Sequence, residues 1–163
     1  MIAPRIHSPV ARAQRGVALL EALIAILVFS IGVLGLIGLL GISVKSSADA
    51  KYRADAAHFA DQIIGRIWVD QAAAAGYAHN AGAAACSSGG GASATSANAN
   101  VQSWLDALAA ALPGASGIRQ RIEVTGTDPV VVTVTVCWHG PQDKDAGGAD
   151  VFHNYTATAR VAG

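Results

Sequence analysis

The pattern of apolar and polar positions divides the chain into stretches of different character. From Ala22 to Ile42 twenty-one residues pass without a charge. A helix of roughly 20 apolar residues spans a bilayer. Past this run the apolar positions thin to a stripe: Tyr52, Ala56, Phe59, Ile63 and Ile67 recur at spacings of four, three, four and four. That is the period of one helical face. Asp49, Lys51, Arg53, Asp55, Asp61 and Arg66 lie between them as a solvated face. The pattern predicts one continuous helix from Val17 to about Ala75, apolar all round in residues 17–42 and amphipathic in residues 43–75.

Residues 71–100 are dominated by Ala, Gly, Ser and Asn, and read as a mobile connection with SSGGGAS, Ser87 to Ser93, its most flexible part. A phosphate cradle is excluded, because no GK[ST] or GxGxxG accompanies the glycines. Within this connection, taken as residues 76–117, a short helix fits Val101 to Leu112, with Trp104, Leu105, Leu108 and Leu112 on one face. Pro113-Gly114 stops it. The remainder, residues 118–163, changes to period two. Ile118, Gln120, Ile122 and Val124 alternate with charged and polar residues. Val130 to Trp138 follows a turn at Gly126–Pro129, and Tyr155, Ala157, Ala159 and Val161 alternate in a last strand. Val130, Val132, Val134, Val136 and Trp138 should face the helix. Three antiparallel strands on a helix make an α+β head.

Composition agrees with a membrane-tethered chain. It is 52% hydrophobic but only 13% charged, about half the usual share of charged residues in a globular chain. Charge is distributed unevenly. Arg5, Arg12 and Arg15 precede the apolar run without an acidic residue among them, whereas eight Lys/Arg stand against eleven Asp/Glu after residue 16. A mildly acidic mature part excludes the electrostatic footprint of nucleic-acid binding. The basic leader predicts a cytoplasmic N-terminus with the rest of the chain outside. An ordinary secretory signal has an apolar stretch of about 7–15 residues and a small-residue cleavage site after it. Here the run is longer and no such site follows, so it should remain as an anchor.

Glu21 is the chemically informative residue. A carboxylate retained just inside a membrane helix is a functional hypothesis by default. Its nearest candidate partner arises only if the chain is cut between Gly16 and Val17, which frees an α-amino group four residues before it. The basic leader, Gly16, GVALLE and the long apolar helix together resemble the class III leader of type IV pilins and pseudopilins. The resemblance implies cleavage after Gly16 by a prepilin peptidase, N-methylation at Val17, and a role for Glu21 as the acidic fifth residue of the mature chain. Family members usually begin with Phe or Met, so Val17 is a departure, as is Ala18. It also implies the pilin fold: a long N-terminal helix, an αβ-loop and a small antiparallel sheet. In a bundle of such helices Glu21 would pair with the N-terminal amine of a neighbouring subunit and set the register of assembly.

Gly32, Gly35, Gly38 and Gly41 recur every third residue. Each weakens a helix interior by about 1 kcal/mol relative to Ala. They suit close helix packing in a membrane, or a segment that melts when the subunit leaves the bilayer. The string SIGVLGLIGL, Ser30 to Leu39, resembles a stretch of the PilV-type minor pilins. Those proteins prime pilus assembly with other minor and major pilins on an inner-membrane assembly platform, and help present a tip adhesin. The implied path runs from a single-pass inner-membrane precursor to the pilus on the cell surface, in adhesion and twitching motility. A minor pseudopilin of the type II secretion system uses the same leader and is the alternative. A monomeric membrane-anchored binding module would need neither processing nor Glu21.

Cys86 and Cys137 both lie beyond the anchor, where an oxidising periplasm permits a disulfide. Two cysteines without CxxC spacing support a metal site poorly. His139, Asp143, Asp145, Asp150 and His153 share one segment. They could suit Ca²⁺ or a transition metal, but their spacing matches no known metal signature, and a solvated hairpin connection is the plainer account. No metal or cofactor is expected. No Ser/His/Asp or Cys/His grouping has catalytic surroundings, so catalysis is not expected.

Overall fold

The computed structural model describes residues 15–86 and 95–161. The leader arginines Arg5 and Arg12, and the glycine-rich stretch at 87–93, lie outside the described residues. The chain divides into two compact units, Met1–Lys45 and Ser46–Gly163. Helix α1, Arg15–Val69, contributes to both.

In the first unit, the large apolar residues of α1 are exposed all round the helix, from Ile24 at 54% to Phe29 at 72%, with Val33 alone intermediate among the described residues 17–42. Such a surface in water would forgo the burial that drives folding, so this segment needs an apolar environment supplied from outside itself. The helix is long and apolar enough to cross a membrane. A Cβ placed on Gly32, Gly35, Gly38 or Gly41 would meet nothing within 4 Å. Any packing reason for these glycines therefore requires another helix.

In the second unit α1 becomes one-sided. Ala56, Ala60, Ile63 and Ile67 are completely buried, and Tyr52 and Phe59 pack at the margin of the same core. The helix ends at Val69, six residues short of the expected Ala75. Asp70 leaves helical geometry at φ −116°, ψ 49°. A 3₁₀ segment, Gln71–Tyr77, then tightens the chain with Ala73 N–H donating to the Asp70 carbonyl at 3.1 Å. Four consecutive alanines favour α-helix locally. Tertiary packing overrides them by burying Ala74 and Tyr77. The Tyr77 hydroxyl donates to Asp70 Oδ2 at 3.2 Å and accepts from Asn100 Nδ2 at 2.8 Å, which fixes the turn.

Helix α2 runs Ala99–Ala111, close to the predicted span, and buries Val101, Trp104, Leu105 and Leu108. Trp104 Nε1 donates to the Phe59 carbonyl at 2.8 Å, joining α2 to α1. The Asn98 side chain caps α2 by accepting the Asn100 N–H at 2.9 Å. Replacing this acceptor (Asn98→Ala) should lower stability by about 1 kcal/mol. The check is a denaturant midpoint that falls at unchanged slope; an unmoved midpoint would deny the cap its contribution. After α2 the chain turns at Gly114, φ +65°, where a Cβ would stand 1.9 Å from the His139 ring. Both the left-handed backbone and the close approach require glycine there.

The sheet has three antiparallel strands in the order β1 (Arg121–Thr125), β2 (Val130–Trp138) and β3 (His153–Val161). Ile122 stands opposite Val134, and Val134 opposite Ala157. Of the positions expected to face the helix, Val132, Val134, Val136 and Trp138 are buried in the core together with Ile122 of β1, and Val130 is only partly buried at its margin. Pairing starts at Arg121, later than the expected residue 118, because Gly117–Arg119 forms a 3₁₀ turn. Ile118 is consequently 44% exposed. Gln120 is buried and bonds β2 through its side chain: Nε2 donates to the Cys137 carbonyl at 3.0 Å, and Oε1 accepts the Cys137 N–H at 2.8 Å. A long N-terminal helix and a small antiparallel sheet give the α+β, pilin-like fold.

Candidate functional site

The Gly16–Val17 bond lies in the first turn of α1. Val17 and Glu21 are one turn apart on the same helix face, and both are exposed. No ion pair to Glu21 occurs among the described residues. The arrangement presents a carboxylate on an apolar cylinder, one turn from the bond whose cleavage would create a cation. Ser30, the other polar group in the run, is satisfied within the helix, its hydroxyl donating to the Ile26 carbonyl at 2.7 Å. That leaves Glu21 as the group in this segment whose chemistry calls for a partner from outside.

In the second unit the two cysteines are joined as Cys86–Cys137, with Cα atoms 5.3 Å apart across a separation of 51 residues. The Cys86 N–H donates to the Arg119 carbonyl at 3.4 Å. The bond therefore clamps the segment before the glycine-rich stretch onto the middle strand.

A buried polar cluster stands beside this clamp, and sequence pattern gave no sign of it. His79, which the low-complexity composition placed in a mobile connection, is 1% exposed. Its main chain exchanges two hydrogen bonds with Ile122, at 3.0 and 2.9 Å. Its Nδ1 accepts the Ser96 N–H at 3.2 Å, and its Nε2 lies 2.9 Å from the Gly117 carbonyl, so the proton belongs on Nε2. Asn80 Nδ2 donates to the Gln120 carbonyl at 3.0 Å. One histidine thus ties three separate segments of the head together. This is a structural role.

The His/Asp segment resolves into pairs. His153 Nε2 lies 3.0 Å from Asp143 Oδ2, and the same oxygen accepts the Gly140 N–H at 2.7 Å. Asp145 Oδ1 accepts the N–H groups of Gly147 and Ala149 at 2.8 and 2.9 Å. Asp150 pairs closely with Lys144 and lies 3.6 Å from His139 Nδ1. These acidic oxygens are engaged by donors of their own loop. Among the described residues no group of three or more His, Cys, Asp or Glu side chains could hold a metal ion.

The Lys144 hydrogen bond holds the Asp150 carboxyl below its ordinary range against the opposing effect of desolvation, with the charges of His139, Lys144 and Arg119 adding to it. Because the folded value is depressed, the contribution of Asp150 is complete above the ordinary carboxylate range. It is lost as pH falls through the depressed value. Following the Asp150 carboxyl carbon by NMR should give a midpoint below that of a free Asp, and Lys144→Ala should move it upward. An unmoved midpoint would remove Lys144 as the cause.

Comparison with known proteins bears on the first unit. Residues 11–37 match the prokaryotic N-terminal methylation motif. That match supports a type IV pilin-like precursor. It includes Gly16, Val17, Glu21, Gly32 and Gly35, and it implies a chain handled by a prepilin peptidase and assembled with other pilin-like subunits. No curated protein and no solved structure matches the chain. With its apolar helix, the motif is consistent with a single-pass inner-membrane precursor.

Proposed function

We propose that this chain is a minor type IV pilin. Prepilin peptidase cuts it between Gly16 and Val17 and methylates the new N-terminus at Val17. The mature subunit then helps initiate pili on the inner-membrane assembly platform and enters the filament with other minor and major pilins. The observation that carries this reading is the methylation motif over residues 11–37, with Glu21 inside it on an otherwise apolar helix. The string Ser30 to Leu39 favours the minor-pilin branch over the major one. The head serves as a structural and presenting element, with a tip adhesin as its outermost partner, and catalyses no reaction. Before assembly the N-terminus faces the cytoplasm and the head the periplasm, as the leader arginines direct.

Deletion of the gene followed by two assays tests the proposal. Loss of surface pili and twitching motility with secretion intact is the expected result. Loss of exoprotein secretion with pili intact would overturn it in favour of a minor pseudopilin. Mass analysis of the mature N-terminus should find methylated Val17. An intact leader on the functional protein would point instead to a membrane-anchored binding module.

A further inference from the structure

The two edges of the sheet are finished differently. At the β1 edge the preceding segment is laid against the strand: His79 bridges Ile122, Gly82 N–H donates to Glu123 Oε1 at 3.2 Å, and Arg121 Nη1 donates to the Ala83 carbonyl at 3.2 Å. The Cys86–Cys137 bond locks that cover in place. The β3 edge has no such cover among the described residues. β3 runs nine residues in unbroken register with β2, from His153 opposite Trp138 to Val161 opposite Val130, with no bulge and no proline. On the side away from β2, every second residue of β3 carries an N–H and a C=O that no main-chain bond among the described residues engages. Proteins ordinarily blunt such edges with lysines, prolines, bulges or a covering segment. The charge-bearing groups of β3 are His153 at one end and Arg160 near the other, and it contains no acidic residue.

The layer facing α1 is also unfinished at this edge. Tyr155, Ala157 and Ala159 point toward the core yet remain only half-buried. Two alanines in succession leave room for a bulkier apolar row beside them. The opposite face is a regular polar one, with Thr133–Thr158 and Thr135–Thr156 hydroxyl pairs at 3.2 and 3.3 Å. Whatever completes this edge must therefore be an extended segment. It should carry large apolar residues on the α1 side, polar residues on the other, and an acidic residue near Arg160. Main-chain bonds along the edge would supply affinity, and these alternating side chains specificity.

From this asymmetry we infer that β3 is a strand-addition site, and that its occupant is an edge strand of a different pilin-like subunit. A second copy of this chain offers neither edge: its β1 is already engaged at Arg121, Ile122 and Glu123 by the preceding segment, and its β3 brings only the small Ala157 and Ala159 to the middle of the apolar row and no acidic residue to meet Arg160. The inference rests on the filament-subunit reading and adds which surface of the head makes the contact.

Site-specific photocrosslinking in cells tests it, with the full chain carrying a photoreactive residue in place of Thr156 or Thr158 on β3, or of Thr125 on β1. The expected result is an adduct from each β3 position with another protein bearing its own methylation-type leader helix, and loss of that adduct from Thr125. Of the consecutive variants Thr158→Pro and Ala159→Pro, one removes an outward N–H. That one should abolish the adduct formed from Thr156 while the Cys86–Cys137 bond still forms. Absence of β3 adducts in cells where the chain is cut at Gly16 and recovered in sheared filaments would overturn the inference and leave the proposed function standing. Adducts between copies of this chain, or with a protein lacking such a helix, would also overturn it. A chain that is never cut or assembled would count against the proposed function. A β3 adduct with a pilin-like subunit in the membrane would still support strand addition.

Discussion

Glu21→Leu should leave the precursor membrane-bound and cut after Gly16, yet nearly absent from sheared filaments. Glu21 stands exposed in the membrane-length run of α1, residues 17–42, where the other polar side chain, Ser30, is satisfied internally. Packed among neighbouring helices, the carboxylate would lie in a medium that tolerates it only when paired. The cation of suitable position is the amine that cleavage creates on a neighbouring Val17. Removing one partner of a buried pair leaves the other uncompensated and typically costs about 3–5 kcal/mol. At roughly 1.4 kcal/mol per decade, incorporation should fall by at least a hundredfold. Glu21→Asp keeps the charge on a shorter arm and should recover part of the loss, which a packing defect alone would not explain. Equal amounts of Glu21→Leu and wild type in filaments, with cleavage normal in both, would end the register hypothesis.

The second large effect concerns the disulfide. Cys137→Ser should destabilise the head by about 4 kcal/mol, since the bond closes a loop of roughly fifty residues in the unfolded chain. Cys86→Ser should cost the same, and the double variant no more than either single one, because both remove a single constraint. Denaturant unfolding of the full chain in detergent, with and without reductant, reads this directly. Reductant should shift the wild type and leave the serine variants unmoved. A loss within about 1 kcal/mol would mean that the Gln120 side-chain bonds to Cys137 and the His79–Ile122 bridge hold the segment unaided.

Much of this architecture was legible in the order of residues, for identifiable reasons. The apolar run needs only length and continuity to read as a span. The 3.6 and 2.0 periods that placed Ile63, Ile67, Val132 and Val134 in the core are local consequences of backbone geometry. The leader signal was legible because an enzyme reads it as sequence. What escaped the reading was set by non-local demands. Ala72 to Ala75 look like a helix and continue the pattern of α1. The chain leaves α-geometry at Asp70 because Tyr77 and Ala74 have a core to enter. Ile118 and Gln120 look like strand, but Gln120 spends its side chain on the main chain of Cys137. His79 sits in a composition typical of mobile loops and is nevertheless one of the most buried polar residues.

By itself the sequence determined a membrane-length helix with a methylation-type leader, an isolated carboxylate at its start, and an α+β head with one cysteine pair available for a disulfide. These follow from local period, charge asymmetry and the scarcity of cysteine. Only the tertiary structure decided where α1 ends, that the loop acids serve their own donors, and which sheet edge is closed. Those outcomes depend on pairing between residues distant in the chain, and a one-dimensional pattern carries no record of which backbone groups remain without a partner.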